Sequence, residues 1–302
     1  MDLVLGKAPR RTWDRVARGL WAPRGTTLTG DDLLRAWTLV LPTTAGFTHL
    51  TAAAAYGWWL PEAPPHPVFA AMSSTEPRPR RPGALVYRHP HPPEMRDVRG
   101  LRLTTPAETL LALARDLTPL DVIVLADSAV RQGDVTVEEL AQVSTGTRRR
   151  GAPALRALVP LIDPRSESAW ESVMRMLHCA ADIPVEPQHE LTDRSGRFVA
   201  RADLWICGTR RVHEYDGGVH RDPQTHASDL SRDRAMALAG WERHGFTKRH
   251  LLHEGASIVR ASDELLRRAW DVRRLQAWEG LLNASMLRPA GRQRALRRWG
   301  LA

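Results

Sequence analysis

At 302 residues the chain is long enough for two domains. It carries 43 Lys and Arg against 34 Asp and Glu, a formal net charge of +9, which suits an anionic partner. Two cysteines exclude a disulfide framework and a four-ligand zinc site of cysteine type, and no apolar run approaches the ~18 residues of a membrane span. Met1 to Arg11 lacks the apolar core and cleavage site of a signal peptide, so the reading is a soluble cytoplasmic protein. Only Lys7 and Lys248 are lysines; the arginine excess looks partly like the codon bias of a high-GC genome, but Arg also suits bidentate phosphate contacts.

In the first 145 residues, Phe47 to Tyr56 reads as an Ala-rich helix that stops at Gly57, and a Pro-rich stretch follows from Pro61 to Pro82. Short strands are expected around Val68–Ala71 and Ala84–Arg88. Thr105-Pro106-Ala-Glu108 combines an N-cap, a first-turn proline and a capping-box Glu. Thr118-Pro119-Leu-Asp121 repeats the signal for a helix that Gly133 ends, and Thr136-Val-Glu-Glu139 opens a third. His49, His89 and His91 read as surface or packing residues. Arg148, Arg149 and Arg150, with Gly151 and Pro153 behind them, read as an exposed basic linker that tracks phosphate or is simply solvated.

The most informative segment follows. Trp170, Val173, Met174 and Leu177 share one apolar helix face, with Glu171, Ser172 and Arg175 in the same stretch. Val199, Arg201, Asp203 and Trp205 share one period-2 face, Ala200, Ala202, Leu204 and Ile206 the other. Cys207 to Arg210 supplies a turn, and Arg211 to Tyr215 returns as a second strand. Carboxylates at Asp203, Glu214 and Asp216 come together only if a hard cation or a shared proton offsets their repulsion; the bland alternative is an ordinary solvated strand face. His220 follows four residues after Asp216, and a polar helix start at Asp229 and Arg232 runs into an apolar helix that stops at Gly240, then a strand from Trp241 to Thr247. His213 falls on the face opposite Glu214 and is left out of the site. Ser262 to Leu281 is an amphipathic helical pattern expected to pack on the sheet or a partner. Arg292 to Trp299 reads as a basic tail that stacks on nucleic acid or stays solvated.

Residues 166–253 resemble the Vsr-like (very-short-patch-repair type) branch of the PD-(D/E)XK endonuclease superfamily. The resemblance rests on Glu171-Ser172 with Arg175, Ala202-Asp203, Glu214-Tyr215-Asp216-Gly217 with His220, Asp229 with Arg232, and Gly240-Trp241. It implies a mixed sheet flanked by helices, with Mg²⁺ or Mn²⁺ held by Asp203 and Glu214 and assisted by Glu171. The superfamily's Lys, two residues after the Glu, is replaced by Asp216, and in this branch a histidine is implied to take over near the scissile phosphate, here His220. The implied chemistry is phosphodiester hydrolysis of DNA with Glu171, Asp203, Glu214, Asp216 and His220 as the catalytic set. Arg175, Arg221, Arg232 and Arg148 to Arg150 are the expected phosphate contacts. No zinc site is expected.

The first half resembles, more loosely, the AbiEi-type antitoxin family of phage-defence toxin–antitoxin systems, through Thr48-His-Leu-Thr-Ala-Ala, Leu60-Pro61, Gly100 to Pro106 and Asp127-Ser-Ala-Val-Arg131. That implies a DNA-binding or regulatory module, with a leading winged-helix segment that is short and indistinct in residues 1–30. The expected fold class is α+β. A mainly helical module with short strands (1–145) leads through a basic linker (146–165) to the nuclease-like sheet (166–260) and a C-terminal helix and basic tail (261–302). DNA is the expected partner, with no membrane. A protein partner or homodimer through the N-terminal module or C-terminal helix fits the same pattern. The alternative function is a non-catalytic DNA-binding antitoxin or regulator built on a degenerate nuclease fold.

Overall fold

The computed structural model describes residues 2–60, 62–63, 66–77, 79–217 and 223–301, with backbone alone over 223–229. The fold is α+β. It divides into two compact units, each drawing on separated stretches of chain: Met1–Leu117, Gly133–Pro160 and Arg292–Ala302 form the first, Thr118–Gln132 and Leu161–Gly291 the second. Among the described residues no helix is long and apolar enough to cross a membrane.

The chain begins with β1 (Val4–Leu5), β2 (Trp13–Ala17) and β3 (Leu20–Pro23), an antiparallel sheet ordered β1-β3-β2. Helix α1 (Gly30–Thr38) follows. Strand β4 (Gly46–Phe47), helix α2 (His49–Tyr56), β5 (Val68–Ser73), β6 (Ala84–His89), β7 (Met95–Val98) and β8 (Leu101–Thr104) build a second, mixed sheet in the order β6-β5-β4-β8-β7. The first half therefore holds more strand than its sequence suggests: alternation over two to six residues is too brief a signal to register. Helix α2 ends at Gly57, whose φ of 84° is the left-handed cap conformation that favours glycine.

Helix α3 (Pro106–Asp116) starts at Thr105 as expected, but Glu108 does not close a capping box there; its carboxylate accepts from Arg149 Nη1. Helix α4 (Pro119–Arg131) belongs to the second unit. Helix α5 (Val137–Thr145) has the complete box, Glu139 N donating to Thr136 Oγ1 and Thr136 N to Glu139. The stretch read as a linker contains α6 (Ala152–Leu158), whose Ala152, Leu155 and Leu158 are buried.

The second unit continues with α7 (Ala169–Ala180), β9 (Val185–Thr192), β10 (Phe198–Ile206), β11 (Arg211–Tyr215), α8 (Pro223–Leu238) and β12 (Glu242–Phe246). The sheet order is β12-β11-β10-β9; β9, β10 and β11 run antiparallel in turn, and β12 joins β11 in parallel. The hairpin foreseen from alternation is β10–β11, turning at Gly208 with φ 79°. Helix α8 stops at Gly240 (φ 81°), where Trp241 N returns to Met236 O at 2.9 Å. Leu191, Ala200, Ala202, Val212, Met236 and Trp241 form a buried cluster beneath this sheet.

Helices α9 (Lys248–His253), α10 (Gly255–Leu265) and α11 (Val272–Ala284) follow. The pattern expected to be one helix breaks between α10 and α11, and Trp278 packs against Gly255, where an added Cβ would lie 2.9 Å from its indole nitrogen. Helix α12 (Pro289–Arg298) leads to Trp299, which is 4% exposed and edge-on to Phe69 at 5.2 Å within the first unit. For Trp299 neither expectation holds: it is core, not a platform for bases and not solvated, while Arg294, Arg297 and Arg298 of the same tail are exposed.

Candidate active site

The site is built from β10, β11, β12 and the flanking helices α7 and α8. The register pairs Leu204 with His213, so one step along the ladder Asp203 opposes Glu214, and the two acids share a face of the sheet. The Asp203 carboxylate accepts from Tyr215 N at 2.9 Å. Burial, then the charges of Glu171 and Glu214, push its pKa up to about 7. Glu171 enters from the first turn of α7. Its backbone N–H donates to Ser168 Oγ, and its carboxylate accepts from Glu167 N at 2.7 Å and Gln188 Nε2 at 2.9 Å. It thus doubles as a cap that satisfies donors at the helix start, and burial raises its pKa as well.

Glu214 is almost fully buried and held by two guanidinium groups. Arg232 of α8 makes a two-pronged contact, Nη1 at 3.1 Å from Oε2 and Nη2 on Oε1, and also donates to the Arg201 carbonyl at 2.7 Å. Arg243 of β12 donates from Nε to Glu214 at 2.5 Å and from Nη2 to Asp216 at 2.6 Å. Glu214, Asp216 and Asp233 together hold the Arg243 pKa above its usual range despite burial. The parallel register that pairs Val212 with Arg243 and Glu214 with Gly245 explains why Arg243 reaches these acids. A Cβ at Gly245 would sit 1.9 Å from Asp216 Oδ2, so a larger residue there has to displace that carboxylate.

Of the residues singled out from sequence, Asp203, Glu214, Glu171, Asp216 and Arg232 come together. Among the described residues no three His, Cys, Asp or Glu side chains are arranged as a preformed metal cage. His220 and Arg221 lie outside the described residues. Arg175 was expected at phosphate but is buried, donating to Asp127 Oδ2 at 2.8 Å beside Ser172 Oγ at 2.6 Å. Arg149 is engaged by Glu108 within the first unit, while Arg148 and Arg150 are exposed.

Arg243 was missed. A basic residue near the start of a short strand that neighbours the Glu-x-Asp strand was the available signal, unreadable until the strand pairing was known. His213 lies off the site as expected, against α7: His178 Nδ1 is 2.8 Å from the Met174 carbonyl, so it is the protonated nitrogen, and His178 Nε2 accepts from His213 Nδ1–H at 2.8 Å. Burial pushes the pKa of both rings well below the usual histidine range, which favours the neutral forms. Tyr215 stacks on Trp170 at 5.8 Å, with Lys248 over the Trp170 ring.

No family model matches the chain, and no solved structure matches it. Two curated relatives do, "Uncharacterized protein Rv2248" of Mycobacterium tuberculosis strain H37Rv and "Uncharacterized protein MT2308" of strain CDC 1551. Each is 30% identical over 147 residues, 48% of this chain and 54% of the relative. The chain thus spans about half the length of the curated relatives it matches.

Proposed function

We propose that this chain is a metal-dependent DNA endonuclease of the Vsr-like type, hydrolysing phosphodiester bonds at the acid cluster of its second unit. The first unit serves as a regulatory or DNA-binding module of AbiEi type, and the setting is cytoplasmic. The observation that carries the reading is the opposition of Asp203 and Glu214 across β10 and β11, with the Glu171 charge acting on the same carboxyl. A solvated strand face spreads like charges apart; here they crowd in a buried place. The succession of elements, an acid-bearing helix, an acid-bearing strand, the Glu-x-Asp strand, a helix and a parallel strand, supports the same reading.

On this reading a hard divalent ion, Mg²⁺ or Mn²⁺, would be held by Asp203 and Glu214 with Glu171 at its edge, the side chains adjusting to it, since among the described residues no three acids stand as a ready cage. An ionised carboxylate offers about four lone-pair sites, so the three guanidinium contacts on Glu214 leave room for one more partner. Such a cation, when bound, supplies Lewis-acid polarisation and lowers the pKa of water. The chain's own groups do the remainder. Tyr215 N–H orients Asp203, Arg243 fixes Glu214 and Asp216, and Arg232 offers positive charge to a phosphate. His220 takes or gives the proton.

One observation favours a second reading: both Glu214 oxygens engage arginines, which neutralises the strand without any cation. On that reading the protein is a non-catalytic DNA-binding regulator. The two are separated by incubating supercoiled plasmid with purified protein and Mg²⁺ or Mn²⁺. Nicking or linearisation abolished by EDTA supports the nuclease; DNA binding with no cut product under either metal supports the regulator.

A further inference from the structure

The positive charge of this chain is not spread evenly. Residues 1–30 hold six Lys or Arg against two Asp. Lys7, Arg10, Arg11, Arg15, Arg18 and Arg24 are all exposed on or beside the β1-β3-β2 sheet. Among the described residues none of the six forms an ion pair, and Asp14, the acid nearest in sequence, is turned to the Gly25 N–H at 2.9 Å. Arginines elsewhere are repeatedly neutralised: Arg96, Arg99, Arg115 and Arg149 in the same unit each face a carboxylate.

At the β2–β3 turn this basic surface opens into a hollow of about 520 Å³, lined by Arg18, Arg80 and Arg81 between Pro79 and Pro82. Arg81 Nη1 donates to the Arg18 carbonyl at 2.5 Å, which fixes the wall to the turn. Arg18 and Arg80 stay exposed, and among the described residues no acidic side chain lines the hollow.

We infer that the β1-β3-β2 sheet and this hollow form a second nucleic-acid surface, separate in sequence from the acid cluster, that holds the phosphate backbone of duplex DNA through Arg15, Arg18 and Arg80. The inference rests on the reading of DNA as substrate and extends it to a site in the first unit. Planar guanidinium forks match phosphate oxygens, and unpaired exposed cations release counterions from DNA at little cost, because no internal ion pair has to break first. The surface contributes affinity that is uniform across sequences, since phosphate contacts carry no base information.

The test is the salt dependence of binding of a labelled duplex to the full chain in EDTA, where no cleavage complicates the readout. Each phosphate contact contributes roughly 0.9 to the slope of log K against log salt. The variant Arg15→Ala/Arg18→Ala/Arg80→Ala is expected to lower the slope by roughly three units, and by the same amount on unrelated sequences. The matching triple Arg→Lys variant, which keeps the charges and guards against a folding effect, is expected to retain it. A wild-type slope in the alanine variant overturns the inference, even if the protein proves to cut plasmid. So does a slope lost equally in the lysine variant, or poly-glutamate binding as tightly as DNA of equal charge. Failure to cut plasmid leaves this binding result standing, so the two readings fail separately.

Discussion

Replacing Arg175 by Met separates the structural role assigned to this residue from the phosphate role its motif position implies. Asp127 is 0% exposed and Arg175 5%. The Asp127 carboxylate accepts from Arg175 Nη2 at 2.8 Å, Ser172 Oγ at 2.6 Å and Asp163 N at 2.8 Å. Burial already drives the Asp127 pKa up, with Arg175 the main force pulling it back. Met keeps an unbranched apolar stem on α7 and leaves two hydrogen bonds, but the buried carboxylate loses its counter-charge. Breaking a buried pair in this way costs about 3–5 kcal/mol.

The sign of the pH dependence follows. With its folded pKa raised further above the unfolded value near 3.9, Asp127 lowers stability most at neutral pH, and the deficit narrows as pH falls and the carboxyl protonates. The double variant Arg175→Met/Asp127→Asn removes both charges and is expected to recover most of the loss. Urea titrations followed by tryptophan fluorescence and far-ultraviolet circular dichroism measure this, with an unchanged slope as the check that only stability moved. A wild-type midpoint in Arg175→Met together with weakened DNA binding refutes the reasoning and returns Arg175 to the phosphate.

Gly245→Ala places a methyl group 1.9 Å from Asp216 Oδ2, so Asp216 must swing away and release Arg243; the expectation is at least a tenfold loss of cleavage rate with stability lowered by about 1–3 kcal/mol, and a fully active Gly245→Ala protein contradicts the packing described. The neutral His178–His213 pair predicts an acid-sensitive core. Burial holds His178 down to about 4 and His213 lower still, so its stabilisation is present above the unfolded value near 6.5 and lost as pH falls from there towards 4. The loss amounts to a few kcal/mol, since each tenfold drop in proton affinity on folding is worth ~1.4 kcal/mol. Urea midpoints between pH 7 and pH 4.5 read it, and a flat profile is the contrary result. His220→Ala is expected to slow single-turnover cleavage by ~10²–10⁴-fold at saturating protein, as for loss of a general acid–base group; a rate equal to wild type makes His220 a loop residue.

The parts of the fold legible in sequence are those with a sustained local signal. The alternation of Val199 to Ile206, the turn at Gly208 and the stop at Gly240 each act over a few residues and reappear as β10, its hairpin and the end of α8. What was not legible depends on distant partners. Glu108 carries a capping-box spacing, yet the Thr105 N–H it would accept from already donates to the Glu94 carbonyl at 2.9 Å, and the Arg149 guanidinium takes the carboxylate instead. Arg175 was expected at phosphate from the resemblance alone, but only the arrival of α4 shows that Asp127 is its partner.

Trp299 reads as a tail residue because its pocket partners, Phe69 and His66, lie over 200 positions away. At the candidate site the hairpin reading brought the acids of both strands together, and the resemblance singled them out. Arg243 could not: its relation to Glu214 exists only through the parallel pairing of β11 with β12. The exposed basic sheet of residues 4–23 escaped for a similar reason, since strands of two to five residues with Pro and Gly between them show no period.

If the second unit cuts DNA, the carboxylates of β10 and β11 must perform chemistry. The most direct measurement is single-turnover cleavage of a labelled DNA duplex at saturating protein with Mn²⁺, comparing the wild-type chain with Asp203→Asn. Asn keeps the size of the side chain and an oxygen to accept from Tyr215 N–H, so folding and DNA binding are expected to persist while cleavage falls below detection. Equal cleavage by both proteins, or none by the wild type under Mg²⁺ or Mn²⁺ despite tight binding, contradicts a catalytic role for the acid cluster.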